Sequence, residues 1–167
     1  MGKLHSYRNQ VLSVFLGALF VASTACGDAP APVAPVGGDG SEATPWELSE
    51  VGHLVWLKDQ CNNGGSKSKG VYYKLMNDLD LSDTQTTWTY VPIGKTGDGN
   101  QFYGSFDGNG KVISNLYVKT SANIMGLFGV VGAQDGSTSD VCRIRDLSIE
   151  NASVEGGDYV GGLTARS

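Results

Sequence analysis

The stretch FYGSFDGNGKVISNLYVKTSANIMGLFG, residues 102–129, decides the fold of this chain. It begins with an aromatic run typical of a strand and continues through DGNG at residues 107–110, whose residue types favour turns. It then enters a β-branched run over residues 112–118. A single hairpin would account for this stretch taken alone. Its second half, however, follows a pattern that recurs elsewhere in the chain.

The recurring pattern is an Asn or Asp, then a Leu, then any residue, then an aliphatic residue. Its copies are DLDL at residues 78–81, NLYV at 115–118 and DLSI at 146–149. Recurrence of one short unit along a chain predicts a repeat architecture, in which successive units stack on one another.

The spacing within each copy predicts a bend. Ile113 and Ile144 precede the Leu of their copies by three positions, whereas residues on one face of a straight strand are an even number apart. We therefore predict a structural corner at Asn115 and Asp146, and at Asp78 in the first copy, because Asn and Asp tolerate left-handed backbone. Bent units that stack bury one apolar column, so the expected fold is an all-β parallel β-solenoid.

Several segments also carry a resemblance to a known family. They are YYKLMNDLDL (72–81), WTYVPIG (88–94), FYGSFDGNGKVISNLYV (102–118), IMGLFG (124–129) and YVGGL (159–163). Together they resemble the β-helical domain with GLUG motifs, which occurs in bacterial surface proteins, large secreted adhesins and some secreted peptidases. The resemblance implies a right-handed β-solenoid (β-helix) with a role at the cell surface.

The first 25 residues have the features of a secretory signal. Lys3 and Arg8 precede a charge-free apolar run over residues 11–25, which is shorter than the roughly 20 residues that a transmembrane helix needs. Small residues then precede Cys26, as in the lipobox of bacterial lipoproteins. We predict a lipoprotein-type signal peptide over residues 1–25 and lipidation of Cys26, which would anchor the protein to the bacterial outer membrane in the cell envelope. Cleavage without lipidation is the alternative.

Residues 26–45 contain four of the five prolines, together with Ala, Gly and acidic residues. This composition has no hydrophobic periodicity and predicts a disordered tether. The solenoid domain is then expected over residues 46–167. Apolar residues recur at helical spacing over 49–61, so we predict one N-terminal helix there, with Ser49 as its N-cap, that caps the first coil.

The charges of the chain argue against nucleic acid as a partner. There are 17 acidic and 12 basic residues, and the predicted signal contains two of the basic ones and none of the acidic ones. Asp78, Asp80 and Asp83 are close in sequence but match neither the EF-hand spacing nor the calcium-binding repeat of some solenoids. We predict that they form turns and that the protein holds no metal or cofactor. The two histidines, His5 and His53, provide no catalytic triad.

Aromatic residues alternate with aliphatic ones in the predicted strands. The outward-facing members of this set would form a ladder that stacks on sugar rings, and Trp88, Tyr90 and Tyr103 are candidate ligand-binding residues. The set is Tyr72, Tyr73, Trp88, Tyr90, Tyr103 and Tyr117. Inward stacking within the coil is the favoured alternative. The basic residues that a polysaccharide lyase would need on one face are spread along the sequence: Lys74, Lys95, Lys111, Arg143 and Arg145.

The remaining cysteines, Cys61 and Cys142, are candidates for a disulfide. An exported protein meets an oxidising compartment in which the two thiols could pair. They are expected at opposite ends of the apolar column, however, which favours free thiols.

These observations favour a surface-anchored or secreted bacterial protein whose solenoid serves adhesion, display or interaction with a surface glycan or protein, without a catalytic centre. A carbohydrate-binding module and the N-terminal fragment of a larger secreted hydrolase or peptidase are the alternatives. YVGGL at residues 159–163 matches the second half of a coil and is followed by four residues. We therefore predict a solenoid truncated at its C-terminal end, whose open edge pairs with further coils or self-associates.

Overall fold

The computed structural model describes residues 28–65, 67–97, 99–132 and 142–167. The predicted signal and Cys26 lie outside these residues. The described strands are β1 Trp46–Leu48, β2 Tyr72–Leu75, β3 Leu79–Asp80, β4 Ser105–Ser114, β5 Tyr117–Lys119, β6 Phe128–Val130, β7 Arg143–Glu150, β8 Ser153–Glu155 and β9 Thr164–Arg166. The α-helix is α1 Val51–Asn62, and a short 3₁₀-helix spans Ser82–Gln85. In the described part of the chain, neither helix has the length and apolar character needed to cross a membrane.

The strands form three sheets in which every described pair is parallel. In the first sheet β2 pairs with β1 and with the first half of β4, and β3 pairs with the second half of β4. The other edge of β4 pairs with β7 along its length. The second sheet contains β5 and β8, and the third contains β6 and β9. The prediction of an all-β fold with parallel sheets and one helix is confirmed.

The chain passes through these sheets in three successive layers. We define layer A as residues 72–94, layer B as residues 102–131 and layer C as residues 142–166. Side-chain hydrogen bonds between neighbouring layers join residues that are 33 to 40 positions apart. The pattern that recurs in the sequence therefore corresponds to one passage of the chain through the sheets.

An aromatic core fills the space between the sheets. The Phe128 ring lies between those of Phe102 and Phe106, at centroid distances of 5.0 and 5.4 Å, and all three side chains are buried. Leu57 and Cys61 of α1 belong to the same buried cluster. Each large apolar side chain that is fully buried contributes about 1.5–3 kcal/mol, so the helix and layers A and B are stabilised by one shared core.

The bends in the strands have left-handed backbone. The backbone angle φ is 60° at Asn115, 51° at Asp146 and 54° at Asn109. At Asn115 the side-chain Nδ2 also donates to Asp80 Oδ1 in layer A, over 2.9 Å. Asn at these positions therefore accommodates the bend and links two layers at once.

Asp78, the third predicted corner residue, has a different role. Its φ is not positive, and its Oδ1 accepts a hydrogen bond from the backbone N–H of Val112 over 2.9 Å. A carboxylate in this place satisfies a backbone donor of the neighbouring layer. Asp78 thus stabilises a corner of layer B without a left-handed bend of its own.

The DGNG segment at residues 107–110 is not a hairpin turn. It lies inside β4, where the parallel register with β7 shifts between Asp107 and Lys111. A Cβ atom at Gly108 would collide with the Asp146 carbonyl and the Leu147 Cα of β7. The glycine is needed there because the backbones of two layers approach each other closely.

The prediction of a disordered tether over residues 26–45 extends too far along the chain. The Gly40 carbonyl accepts a hydrogen bond from the N–H of Tyr72, at the start of layer A. Asp39 Oδ1 accepts hydrogen bonds from the Thr44 hydroxyl and the Ser41 N–H. These bonds, led by the one from Thr44, lower the pKa of Asp39 to about 2. The segment at residues 39–44, which is polar and contains Gly40, therefore forms a compact turn against the sheet.

The prediction of Ser49 as N-cap is wrong. Helix α1 begins at Val51 with Glu50 as its N-cap, and no side chain makes a capping bond. The backbone N–H of Ser49 instead donates to Nδ1 of His53 over 2.9 Å. The rings of Trp46 in β1 and Trp56 in α1 pack edge to face, with centroids 5.9 Å apart.

The corner at Asn115 can be tested by substitution. Asn115→Val is expected to lower the free energy of unfolding by about 1–3 kcal/mol, because a β-branched residue is strained at φ 60° and the bond to Asp80 is lost. Asn115→Gly loses the same bond without the strain, so its loss should be smaller. Urea unfolding followed by circular dichroism provides the comparison. Equal stability of the valine and glycine variants would contradict the strained corner.

A charged face and cleft as the candidate functional site

The alternation of side chains along the strands shows which residues lie on the outer surface of the first sheet. Tyr73, Phe106 and Ile144 occupy equivalent positions in β2, β4 and β7, since they are paired in register. Tyr73 and Phe106 are buried, and Ile144 packs against the same core. Successive side chains of a strand point to opposite faces. The residues on either side of these three therefore lie on the outer face.

Two rows of residues run across this outer surface, which we call the charged face. The first row is Tyr72, Ser105 and Arg143, and the second is Glu47, Lys74, Asp107 and Arg145. Neighbouring strands are about 4.8 Å apart. The side chains of each row are consequently close enough to act on one ligand.

The second row alternates between acidic and basic residues. The Nη2 atom of Arg145 lies 2.6 Å from Oδ2 of Asp107, and Nη1 lies 3.6 Å from Oδ2 of Asp146. The Arg145 side chain is 56% exposed, so this ion pair contributes at most about 1 kcal/mol. Arg143, in the first row, has no ion-pair partner within the described residues.

A cleft of about 210 Å³ opens on the charged face, and we call it the Arg143 cleft. Its polar lining residues are Glu42, Tyr72, Ser105, Asp107, Arg143 and Arg145. Glu42 comes from the turn at residues 39–44, which was expected to be disordered. The ordered turn therefore forms one wall of the cleft, and strands from all three layers form its floor.

The lining of the Arg143 cleft combines groups that suit a polar ligand with a ring. Guanidinium groups bind carboxylates through two parallel hydrogen bonds. Carboxylates and hydroxyls exchange hydrogen bonds with sugar hydroxyls, and an aromatic ring packs against the apolar face of a sugar. The cleft contains one or more of each group. These groups are chemically able to bind such a ligand.

Two of the three aromatic residues proposed as sugar-binding residues face the core. Trp88 is 6% exposed and Tyr90 5% exposed, and the Tyr90 hydroxyl donates to the Leu127 carbonyl over 3.0 Å. Tyr103 is half-buried, and its hydroxyl donates to Gln101 Oε1. The outward ladder is therefore not formed by Trp88 and Tyr90, because both complete the packing inside the coil.

Three of the five basic residues that are spread along the sequence share one face of the structure. Lys74, Arg143 and Arg145 lie on the charged face because strand register brings their layers together. Lys95 and Lys111 lie elsewhere and do not line the Arg143 cleft. The position of the two arginines on this face could have been predicted from the sequence. Arg143 and Arg145 flank Ile144 just as Ser105 and Asp107 flank Phe106.

The two cysteines of the described residues are free. Burial raises the pKa of the Cys61 thiol to about 12 and that of Cys142 to about 11. The Cys142 thiol also donates to the carbonyls of Phe102 and Gly104, both over 3.2 Å. Neither thiol has the environment of a reactive nucleophile.

Potential metal ligands are dispersed in the described residues. No group of three or more His, Cys, Asp or Glu side chains there is placed to hold an ion. Asp78 and Asp80, which were considered as calcium ligands, accept hydrogen bonds from Val112, Ser82 and Asn115.

Comparison with known proteins gives two relatives. The chain is 32% identical, over 167 aligned positions, to "Halomucin" of Haloquadratum walsbyi, an alignment that covers 96% of this chain and 2% of that protein. It is 29% identical, over 137 positions, to a "Putative Gly-rich membrane protein" of Evansella cellulosilytica, covering 78% of this chain and 14% of the relative. The chain thus spans a small part of each relative. No family model and no solved structure matches it.

The thiols provide a test of the packing around the cleft. In the full chain carrying Cys26→Ser, iodoacetamide at pH 8 should modify Cys61 and Cys142 much more slowly in the folded than in the urea-unfolded protein. A raised pKa leaves a smaller thiolate fraction at that pH, and burial blocks access. Mass spectrometry of the two peptides measures both rates. Modification of the folded protein at the rate of the unfolded one would contradict this expectation. A disulfide between Cys61 and Cys142 in the folded protein would contradict it as well.

Proposed function

We propose that this chain is a non-catalytic binding module of a bacterial envelope protein. In this proposal a right-handed β-solenoid with a helix at its N-terminal end presents the charged face to a glycan or protein at the cell surface. The observation that carries the proposal is the alignment of charged and aromatic side chains from three layers around one cleft. A surface built by repetition suits an extended ligand.

The solenoid interpretation is supported by the regular pairing of the layers. Every described strand pair is parallel, and residues of adjacent layers that are joined by side-chain hydrogen bonds are 33 to 40 positions apart. Helix α1 supports the idea of a cap, because Leu54 and Leu57 are buried against the same core as layer A. A helix in this position covers apolar residues at the end of a coil.

Location in the envelope is supported by the sequence and by one relative. The charged N-terminus, apolar run and small residues before Cys26 are those of a lipoprotein signal. The Evansella relative is named a membrane protein. With a lipid on Cys26, the folded part would be held close to a membrane, since the N–H of Val33 already donates to the Gly52 carbonyl of α1.

The envelope location can be tested with the full chain in a bacterial host that processes lipoproteins. Metabolic labelling with palmitate should mark the wild type and leave Cys26→Ser unlabelled, because the thiol is the site of acylation. Antibody against the folded domain should bind intact cells of the wild type. Equal labelling of the two proteins, or antibody binding only after cell lysis, would contradict the proposal.

Layer C supports a second part of the proposal, which is self-association. Tyr159, Val160 and Leu163 are 57%, 42% and 37% exposed. The outer edges of β7, β8 and β9 have no partner strand among the described residues. An unpaired edge with an apolar strip beside it favours pairing with another strand. We propose that a second copy of the chain contacts layer C at this edge.

Analytical ultracentrifugation can measure this association. The full chain with Cys26→Ser should form dimers or larger species as its concentration rises, and Leu163→Lys should shift the equilibrium toward monomer. Lysine adds charge to the apolar strip without removing a buried side chain. Lys95→Gln, at an exposed site away from layer C, should have no effect. A monodisperse monomer at all concentrations would contradict self-association.

A further inference from the structure

We propose that the Arg143 cleft binds a carboxylate-bearing sugar, such as a uronic acid unit of an acidic glycan. This inference rests on the proposed binding function and deepens it by naming the class of ligand. It is carried by one guanidinium group without an ion-pair partner in the described part of the chain, one aromatic ring and the charge balance of the cleft.

Arg143 is the group that selects an anion. It lies in register with Ser105 and Tyr72, at the edge of the charged face, and it is exposed. Arg145, by contrast, is paired with Asp107 at 2.6 Å. Of the two cations that line the Arg143 cleft, Arg143 is the one with no ion-pair partner among the described residues, so it can receive a carboxylate from a ligand through the two-point geometry that guanidinium prefers.

The remaining residues suit the uncharged part of a sugar. Tyr72 is half-buried and lines the cleft, so it can offer an aromatic ring to a ligand. Ser105 lies between Tyr72 and Arg143 in the same row. Glu42, on the opposite wall, accepts hydrogen bonds from hydroxyl groups. An aromatic platform with hydrogen-bonding groups around it recognises a pyranose ring.

Charge and size argue for one acidic sugar and against a polyanion. The cleft is lined by two carboxylates and two guanidinium groups, which cancel. A nucleic acid or polyphosphate would bring several negative charges next to Glu42 and Asp107, which costs free energy. The volume of about 210 Å³ is smaller than the sites that bind drug-sized molecules. A single sugar unit of a longer chain fits this limit.

The Asp107–Arg145 ion pair leads to a further prediction about the affinity of the cleft for the acidic sugar. Asp107 holds Arg145 away from a ligand, so its replacement by Asn should release a second guanidinium group for the carboxylate. The substitution keeps an acceptor for the Asn109 N–H, which bonds to Oδ1 of Asp107 over 2.8 Å. Asp107→Asn should therefore bind the acidic sugar more tightly than the wild type, which a merely destabilising change would not do.

The experiment is isothermal titration calorimetry of the full chain, in the Cys26→Ser form that avoids detergent. The probe is a tetrasaccharide of galacturonic acid, and its fully methyl-esterified form is the uncharged control. The acid should bind at least about tenfold more tightly than the ester, and less tightly as salt is raised. Arg143→Gln should weaken binding of the acid at least about tenfold. Arg166→Gln removes the same charge on β9, outside the cleft, and should leave binding unchanged.

The possible results separate the two proposals. Absence of binding, equal binding of acid and ester, or equal loss in Arg143→Gln and Arg166→Gln would overturn the assignment of the cleft. None of these results bears on surface exposure, which the antibody measurement decides by itself. A chain that is displayed on cells but ignores the tetrasaccharide would retain the proposed function and lose this inference.

Discussion

Parallel pairing between successive layers is the constraint on which the rest of this structure depends. A parallel strand cannot pair with its neighbour in sequence through a short turn, so the chain must travel around before it returns to the same sheet. Strand β4 shows the result, because one edge pairs with two strands of layer A and the other with β7. The aromatic core, the charged face and the cleft all follow from side chains that this pairing brings into register.

Asparagine side chains reconcile that pairing with the need to bend. Where a strand turns a corner, its ladder of backbone bonds is interrupted and some groups lose their partners. Asn109 and Asn115 adopt left-handed backbone and donate their amides to Leu75 O and Asp80 Oδ1 in the layer before. Asn62, at the end of α1, donates its Nδ2 to Pro92 O and accepts a hydrogen bond from the Gly94 N–H at its Oδ1. The residues that form the corners therefore also hold neighbouring layers together.

The repeat could be predicted from the sequence, whereas the site could not be predicted in full. Ile113 and Leu116 carry the bend in their odd spacing, which is a local property of the chain. The Arg143 cleft depends on residues from three layers and on Glu42, which lies in a segment whose composition resembles disorder. Trp88 could not be assigned to a face from alternation alone, because both orientations share the same period. Only the register between distant strands resolves such cases.

The alternation of charge in the row Glu47, Lys74, Asp107 and Arg145 has a consequence for how the chain folds. Layers with similar patterns invite pairing between the wrong partners, for instance layer C against layer A with layer B left out. That error would place Arg145 beside Lys74, two like charges at the separation of neighbouring strands, which is unfavourable. The correct order sets opposite charges side by side at every step. The charges of the surface row thus favour the observed order of layers over this alternative pairing.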